Sequence, residues 1–430
     1  MTGHLSPTQQ RLWFLQLLDP QATEYNVCLG YELDGRLDVA ALRRSLSTVT
    51  DRHDALRTTF PSERGRPAAH IRPPGEPVPL PLTDLSDLPD GYARAADLTA
   101  DRVARPYDLA RDRLFRADLI RLAPARHILL LNMHHIVADM WSTQIIFAEL
   151  GTLYDAEARG TEADLPLPAA RYADYTAWQR ELLSGERLDQ ELAYWHERLK
   201  GAPAVLDLPT DRPRGPQRSP AGAELLTPVP GQVTKGLRRL AGELRCTMFV
   251  LTLTAFLLML TRWSRTGGAV VAVPVAGRAK PEFQDTVGFF VNTVPLRVDL
   301  SDDPAPRPAV ERVGIAVLEA LEHDSVPFDL LVDRLGVPRT PGCNPLVQVG
   351  FQLLPTPHRA GPVRWHELEV TDWHEVSERV TRLDLELHLL DSAPEKIETL
   401  WCYRTDLFDA ATAERLSAEY QALLAEIGSG

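Results

Sequence analysis

Five prolines near the middle of the chain constrain the fold more than any other feature. They fall within residues 203–220, at Pro203, Pro209, Pro213, Pro216 and Pro220. Proline removes a backbone hydrogen-bond donor and fixes φ, so this stretch can neither continue a helix nor enter the interior of a sheet. It therefore predicts an irregular connection that separates two folded lobes.

Short strands and amphipathic helices are predicted on both sides of this connection. In the first half, an apolar run at residues 128–131 precedes apolar residues at helical spacing between positions 145 and 154. In the second half, four leucines alternate with polar or charged residues, at Leu383, Leu385, Leu387 and Leu389. This pattern predicts an α+β protein. We place its N-terminal lobe at residues 1–178 and its C-terminal lobe at residues 179–430.

Charge and hydropathy exclude several classes of function. The formal net charge of -13 argues against a general binder of nucleic acid or of anionic membranes. No basic segment followed by an apolar one opens the sequence, and the longest uncharged run, residues 246–261, is too short for a comfortable bilayer span. We expect a cytoplasmic protein with a buried helix at residues 246–263.

Two adjacent histidines and an aspartate form the strongest candidate for chemistry. His134, His135 and Asp139 follow the apolar run and precede the predicted helix. Adjacent side chains at a strand end point in opposite directions, so only one histidine can face a given cavity. Imidazole exchanges protons near neutral pH, and Asp139 can hold the turn or the ring through an ion pair. The residues alone predict either one base with one supporting carboxylate or a purely structural cluster, which is the commoner case.

Metal binding is not expected at these histidines. They do not recur at the helical spacing of a zinc motif, and the four cysteines, Cys28, Cys246, Cys343 and Cys402, lie far apart. We predict that the cysteines are reduced core residues, as is usual in the cytoplasm.

Two arginines and one asparagine complete the residue-level candidates. Arg52 and Arg57 lie in a segment dense in charge and either pair with Asp139 or form a solvated helix end. Asn292 lies in an apolar segment, where its amide must find hydrogen-bond partners within the protein or in a ligand.

Taken in order, several segments of the chain resemble those of the condensation domains of nonribosomal peptide synthetases. The resemblance covers nearly the whole chain and rests on residues 6–15, 52–60, 133–142, 172–179, 287–297, 326–329 and 344–346. It implies two chloramphenicol-acetyltransferase-like lobes that form a V-shaped pseudo-dimer with a central tunnel. It also implies floor-loop-like and latch-like segments within the C-terminal lobe.

The resemblance further implies an activity. An upstream carrier domain would present an acyl or peptidyl thioester on 4'-phosphopantetheine, and the amine of an aminoacyl group on a downstream carrier would attack it to form an amide. An adjacent adenylation domain would be a further partner, and no cofactor would be bound intrinsically.

Roles for individual residues follow from the same resemblance. His135 matches the catalytic position, as a general base or as a positioning and charge-stabilising group, with His134 as a packed neighbour. Asp139 would be structural and paired with Arg52 or Arg57. Trp141, Trp195 and Asn292 would lie near the site in supporting positions.

One departure from the family motif concerns subtype. The family has glycine after the aspartate, whereas this chain has Met140. Glycine serves a special backbone conformation or a close approach, so methionine implies either an adjusted turn or a side chain placed by the site. Residues 6–15 and 194–213 are similar to the branch that joins an L-donor to an L-acceptor.

Three alternatives stay open. A bulky residue at position 140 also resembles the motif of branches that dehydrate a tethered serine or threonine or accept a polyketide-derived donor. An inactive module of the same fold that recruits carriers or enzymes is a candidate of another class. A free-standing acyltransferase that uses a soluble thioester is a third.

Overall fold

The computed structural model describes residues 2–63, 65–264, 269–355, 362–376 and 380–429. The chain forms two compact units. The first comprises Met1–Ser184, Ala276–Val291 and Gly361–Ser377, and the second comprises Gly185–Val275, Asn292–Ala360 and Glu378–Gly430. The single predicted boundary between residues 178 and 179 is therefore corrected, because two later segments return to the first unit.

The helices are distributed over both units. Their bounds are α1 (Pro7–Leu18), α2 (Val39–Arg52), α3 (Gly91–Val103), α4 (Met140–Arg159), α5 (Tyr172–Leu182), α6 (Gly185–Leu199), α7 (Gly231–Leu244), α8 (Met248–Trp263), α9 (Pro306–Glu322), α10 (Phe328–Arg334) and α11 (Ala410–Ser429). Short 3-10 helices span Asp54–Arg57 and Pro281–Phe283.

The strands build one large sheet in each unit. Their bounds are β1 (Thr2–Gly3), β2 (Asn26–Gly35), β3 (Thr58–Thr59), β4 (Ser62–Glu63), β5 (Arg66–Pro67), β6 (Ala69–Ile71), β7 (Leu82–Asp84), β8 (Phe115–Ala123), β9 (Arg126–His134), β10 (Gly222–Pro228), β11 (Val270–Val275), β12 (Asn292–Arg297), β13 (Val349–Pro355), β14 (Val363–Trp365), β15 (Leu368–Asp372), β16 (Leu385–Ala393) and β17 (Lys396–Arg404). The six-stranded sheet of the first unit has the order β14-β15-β2-β9-β8-β7, and that of the second has the order β10-β17-β16-β13-β11-β12.

Strand β9 is the buried centre of the first unit. It pairs antiparallel with both β2 and β8. Leu129 and Leu131 face the main core, whereas Ile128 and Leu130 face the smaller cluster under α3. A strand covered on both faces reads as a continuous apolar run, which is why residues 128–131 lack alternation.

The sheet of the second unit shows the alternation that the sequence predicts. Leu385, Leu387 and Leu389 are fully buried, whereas the intervening Glu386 and His388 lie on the opposite face. Helix α8 covers the leucine face of this unit and is buried at every residue from 250 to 260. The predicted buried helix at residues 246–263 is therefore confirmed.

The connection from β17 to α11 resembles the one from β9 to α4. His134 donates its backbone N–H to the carbonyl of Leu114, the residue before β8, and Arg404 donates its backbone N–H to the carbonyl of Asp384, the residue before β16. The next amide in each turn, that of His135 or of Thr405, donates to a carbonyl that precedes the neighbouring strand. The two units thus repeat one strand–turn–helix design.

Local signals in the sequence predicted several element ends correctly. Ser6 caps α1 by accepting the Gln9 N–H at 3.1 Å, and the Gln9 side chain accepts the Ser6 N–H at 3.2 Å. Asp38 caps α2 by accepting the backbone N–H groups of Ala40 and Ala41. Residues 203–220, all within the described part of the chain, form neither helix nor strand.

Helices long and apolar enough to cross a membrane singly do not occur among the described residues. Helices α7 and α8 pass such a test only as a pair, joined at a bend of 110°.

Gly151 in α4 offers a test of how the returning segment packs on the first unit. A Cβ at this position would lie 2.4 Å from the indole nitrogen of Trp365 in β14. We expect Gly151→Ala to lower the free energy of unfolding by about 1–3 kcal/mol through overpacking. Urea-induced unfolding followed by circular dichroism measures this loss.

Gly242→Ala is the matched control for that substitution. Gly242 also lies in a helix, and a Cβ there would meet nothing within 4 Å. Alanine should therefore be neutral or stabilising by up to about 1 kcal/mol. A Gly151→Ala protein as stable as the wild type would contradict the packing of β14 on α4.

Candidate active site

The histidine motif occupies the turn between β9 and α4 in the first unit. His134 is the last residue of β9, and Met140 is the first of α4. The His135 amide donates to the Tyr25 carbonyl at 2.7 Å, and the Val137 amide donates to the His134 carbonyl at 3.0 Å. These bonds hold the turn in one conformation.

His134 is enclosed by the core of the first unit. Its side chain is buried, and its Nδ1 accepts the Ile136 N–H at 3.1 Å. Burial, with a smaller contribution from the neighbouring His135, lowers the pKa of His134 to about 3. The ring is therefore neutral at physiological pH and carries its hydrogen on Nε2.

His135 is half-buried and turns the other way. Its Nδ1 lies 2.8 Å from the carbonyl oxygen of Ala138. A carbonyl oxygen only accepts hydrogen bonds, so Nδ1 carries the hydrogen and the ring lone pair lies on Nε2. The ring also meets Phe289 edge-on, with centroids 4.9 Å apart. This geometry suits Nε2 to accept a proton.

Asp139 binds the segment of residues 276–291 to the start of α4. It caps α4 by accepting the Ser142 N–H at 2.8 Å, and its Oδ2 accepts the Phe290 N–H at 3.0 Å. Its Oδ1 pairs with Nη2 of Arg278 at 3.2 Å, and both side chains are almost fully buried. Asp139 is thus a structural carboxylate whose partners all lie in the first unit.

Arg278 is the partner of Asp139, so the predicted pairing with Arg52 or Arg57 is wrong. Arg52 instead donates to Glu149 of α4 at 3.0 Å, and Arg57 pairs with Asp54. Both arginines therefore pair with carboxylates other than Asp139. Burial lowers the pKa of Arg278, and the Asp139 carboxylate opposes this shift.

Helix α1 contacts the histidine turn, and α5 contacts the neighbouring segment at residues 288–289. The Gln9 side chain donates to the Ile136 carbonyl at 2.9 Å. The Tyr172 hydroxyl donates to the Phe289 carbonyl at 2.6 Å and lies 2.9 Å from the Ser6 hydroxyl. Gly288 must be glycine, because a Cβ there would lie 2.0 Å from the Tyr172 ring. That glycine, between an apolar residue and two phenylalanines, was the available sequence signal for this contact.

Met140 occupies an ordinary helical position rather than an adjusted turn. It is the first residue of α4, directly after the Asp139 cap, and such a position does not require glycine. Its side chain is 41% exposed, and the neighbouring Trp141 is 43% exposed. The Trp141 indole donates to the Gln284 carbonyl at 2.9 Å, so the polar edge of that ring is already bonded within the first unit.

Asn292 and Trp195 belong to the second unit. The Asn292 amide donates to the Asp324 and Val326 carbonyls, and its oxygen accepts the Thr293 and Phe328 amides. Its hydrogen-bonding capacity is thus used within the protein.

Trp195 is buried in the same unit and donates its indole N–H to the His323 carbonyl at 3.0 Å. Both side chains serve the packing of the second unit, and their place near His135 stays a prediction.

A comparison with protein families identifies the chain. The model of the family described as "Condensation domain" matches residues 2–429. The chain belongs to the condensation domain family. This condensation domain is 40% identical over 426 residues to a linear gramicidin synthase protein of Brevibacillus parabrevis, covering 98% of the chain and 5% of that protein. It is 41% identical over 349 residues to the phosphinothricin tripeptide synthetase PhsC of Streptomyces viridochromogenes, covering 81% of the chain and 32% of that protein.

Solved structures agree with this assignment. The X-domain from teicoplanin biosynthesis is 28% identical with a TM-score of 0.87, and the match covers 99% of this chain and 94% of that one. The first condensation domain of the CDA synthetase is 24% identical with a TM-score of 0.85, and the match covers 100% of this chain and 96% of that one. At this identity the match supports the fold only. The predicted fold of chloramphenicol-acetyltransferase-like lobes is confirmed, and the sheets of this condensation domain are open rather than closed into barrels.

The ion pair between Asp139 and Arg278 predicts strong coupling in a double-mutant cycle. Arg278→Met leaves a buried carboxylate without its cation, so we expect a loss of about 3–5 kcal/mol in the free energy of unfolding. Asp139→Asn should couple to Arg278→Met by about 1–3 kcal/mol, whereas Asp139→Asn and Arg52→Met should add to within about 0.5 kcal/mol. Additivity of the first pair in urea unfolding would show that Arg278 is not the partner.

The buried His134 predicts a pH dependence of stability. Its pKa in the folded protein, about 3, lies below the ordinary value of 6.5. The unfolded chain therefore binds the proton first, and stability is lost as pH falls from about 6.5 towards 3, by about 1.4 kcal/mol per pH unit.

His134→Asn isolates this effect because it removes the titrating ring but keeps an acceptor for the Ile136 amide. Between about pH 7 and about pH 5, the wild type should lose about 2 kcal/mol more stability than the variant. The other titrating groups are common to the two proteins, so their contributions largely cancel in the difference. Parallel pH profiles of the unfolding free energy would contradict the neutral, buried state of His134.

Proposed function

We propose that this condensation domain forms an amide bond between an acyl or peptidyl group on an upstream carrier and an aminoacyl group on a downstream carrier. The orientation of His135 is the observation that carries the proposal. Its Nδ1–H is directed to the Ala138 carbonyl, and its basic Nε2 lies on a half-buried ring at the end of β9. The neighbouring His134 is too deeply buried to exchange protons with a substrate.

The reaction balances with one imidazole. The amine nitrogen attacks the thioester carbonyl carbon, the C–N bond forms and the C–S bond breaks. His135 Nε2 takes the proton that the attacking nitrogen loses and returns it to the departing sulfur, which leaves as the phosphopantetheine thiol. A positioned general base contributes about 10²–10⁴-fold in rate. The same orientation of His135 Nε2 also fits the alternative role, in which the imidazole positions the substrate and stabilises charge.

The carrier and adenylation partners come to this chain from its relatives. The chain spans a small part of the curated synthetases that it matches, 5% and 32% of the two named above. It also matches 33% of a four-domain nonribosomal peptide synthetase bound to AMP and glycine, at 22% identity. In this proposal, phosphopantetheine on the carrier domains bears the substrates and is not a cofactor bound by this chain. The cytoplasmic location stays a prediction.

Two specific observations support alternatives. The partly exposed Met140 side chain, where the family has glycine, favours a branch that dehydrates a tethered serine or threonine or takes a polyketide-derived donor. The likeness to the X-domain, solved in complex with OxyB, favours a non-catalytic module that recruits a partner enzyme. The modifying branch also forms the amide and ranks below the unmodified reaction because only Met140 supports it. The non-catalytic module ranks lower because it does not account for the orientation of His135.

The test supplies loaded carriers to the purified protein and identifies the product by mass spectrometry. We expect the wild type to form the amide and His135→Ala to be slower by at least about 10²-fold. His196→Ala is the matched control, because His196 is an exposed histidine on α6 of the second unit.

Each alternative predicts its own result in that assay. A product from a serine or threonine donor that is lighter by one water would favour the dehydrating branch. Turnover of coenzyme A thioesters as fast as that of carrier-bound ones would favour a free-standing acyltransferase. Undiminished activity of His135→Ala, or none in the wild type, would overturn the proposal.

A further inference from the structure

The backbone of Phe289 is held on both sides by buried hydrogen bonds. The Gly288 amide donates to the Ser142 hydroxyl at 3.0 Å, and the Phe290 amide donates to Asp139 at 3.0 Å. Between them, the Phe289 carbonyl accepts the Tyr172 hydroxyl at 2.6 Å. Moving this residue would leave buried polar groups without partners, so its side chain has a fixed origin.

The two neighbouring phenylalanines face different surroundings. Phe290 packs between the Tyr175 ring, 4.5 Å away, and the Arg278 guanidinium, 4.0 Å away. Phe289 instead places its ring 4.9 Å from that of His135, with the ring planes at 62°. Phe289 is itself 8% exposed, so the contact is largely closed to water.

The imidazole of His135 is restrained by more than one contact. The hydrogen bond from Nδ1–H to the Ala138 carbonyl restrains one edge of the ring. A half-turn about χ2 would break that bond and exchange the positions of nitrogen and carbon on the ring. A bulky apolar ring packed beside the imidazole opposes this rotation sterically and offers no competing hydrogen bond.

We propose that Phe289 is a positioning residue that holds the His135 ring in the orientation with hydrogen on Nδ1 and the lone pair on Nε2. The proposal rests on the proposed function in one respect, the use of His135 in amide formation. Phe289 acts through the imidazole and needs no contact with the reacting atoms. Removing the Phe289 ring should therefore lower the rate of amide formation in the complex with bound carriers, and it should leave the affinity for loaded carriers unchanged.

Phe289→Leu is the test substitution, because leucine keeps an apolar side chain but loses the flat ring. We expect kcat for amide formation to fall by on the order of ten-fold, with KM for the carriers unchanged, since small misplacements of a catalytic group are costly. In nitrogen-15 NMR of histidine-labelled protein, the wild type should show one His135 tautomer and the variant an averaged signal. Phe289→Tyr, which restores an aromatic ring, should recover most of the rate.

Phe283→Leu is the matched control for stability. Phe283 lies in the same segment, is 2% exposed and packs on Tyr175, Trp178 and Phe290. Its replacement should lower the unfolding midpoint as much as Phe289→Leu does while keeping kcat and the His135 tautomer. An equal loss of kcat in the two variants, or an unchanged tautomer signal in Phe289→Leu, would overturn the proposal.

The NMR measurement separates this inference from the proposed function. It needs no turnover, so it reports on the Phe289 contact even if the wild type forms no amide. An inactive wild type with an averaged His135 signal in Phe289→Leu would overturn the proposed function and support the positioning role. An active wild type with the same single tautomer in both proteins would do the reverse.

Discussion

The buried ion pair between Asp139 and Arg278 is the interaction on which the site depends. A carboxylate at the start of α4 satisfies the helix end, the guanidinium and the Phe290 amide at once. Two buried charges are costly unless their remaining hydrogen bonds are also satisfied, and Arg278 meets this condition through the Phe283 and Thr286 carbonyls. Because the pair holds the segment of residues 276–291, it also determines where Phe289 meets the His135 ring.

The sequence predicted features whose cause is local. The capping box of α1 involves residues three apart, the run of residues 128–131 reflects burial on both faces of β9, and the leucine alternation in β16 reflects burial on one. The different environments of His134, which is buried, and His135, which is half-buried, follow from strand geometry in the same way. In each case, the sequence pattern lies within a few residues of the structural feature that it predicts.

Other features of the site depend on contacts that no local pattern encodes. Arg278 is 139 residues from Asp139, and nothing about its neighbours distinguishes it from Arg52 or Arg57, which lie in a segment richer in charge. Met140 suggested a distorted turn only because glycine was the reference, whereas the first position of a helix accepts most side chains. The return of residues 361–377 to the first unit rests on backbone pairing of β15 with β2, which leaves no distinctive sequence mark.

The discontinuous first unit has a consequence for the order of events during synthesis. Domains commonly fold from the N-terminus as the chain emerges from the ribosome. Here the sheet that carries the histidine turn gains β15 and β14 only after residue 372 has been made, and Asp139 meets its cation only after residue 278. The first unit therefore cannot be completed until much of the second has been translated, and its long-range closure sets a late step in folding.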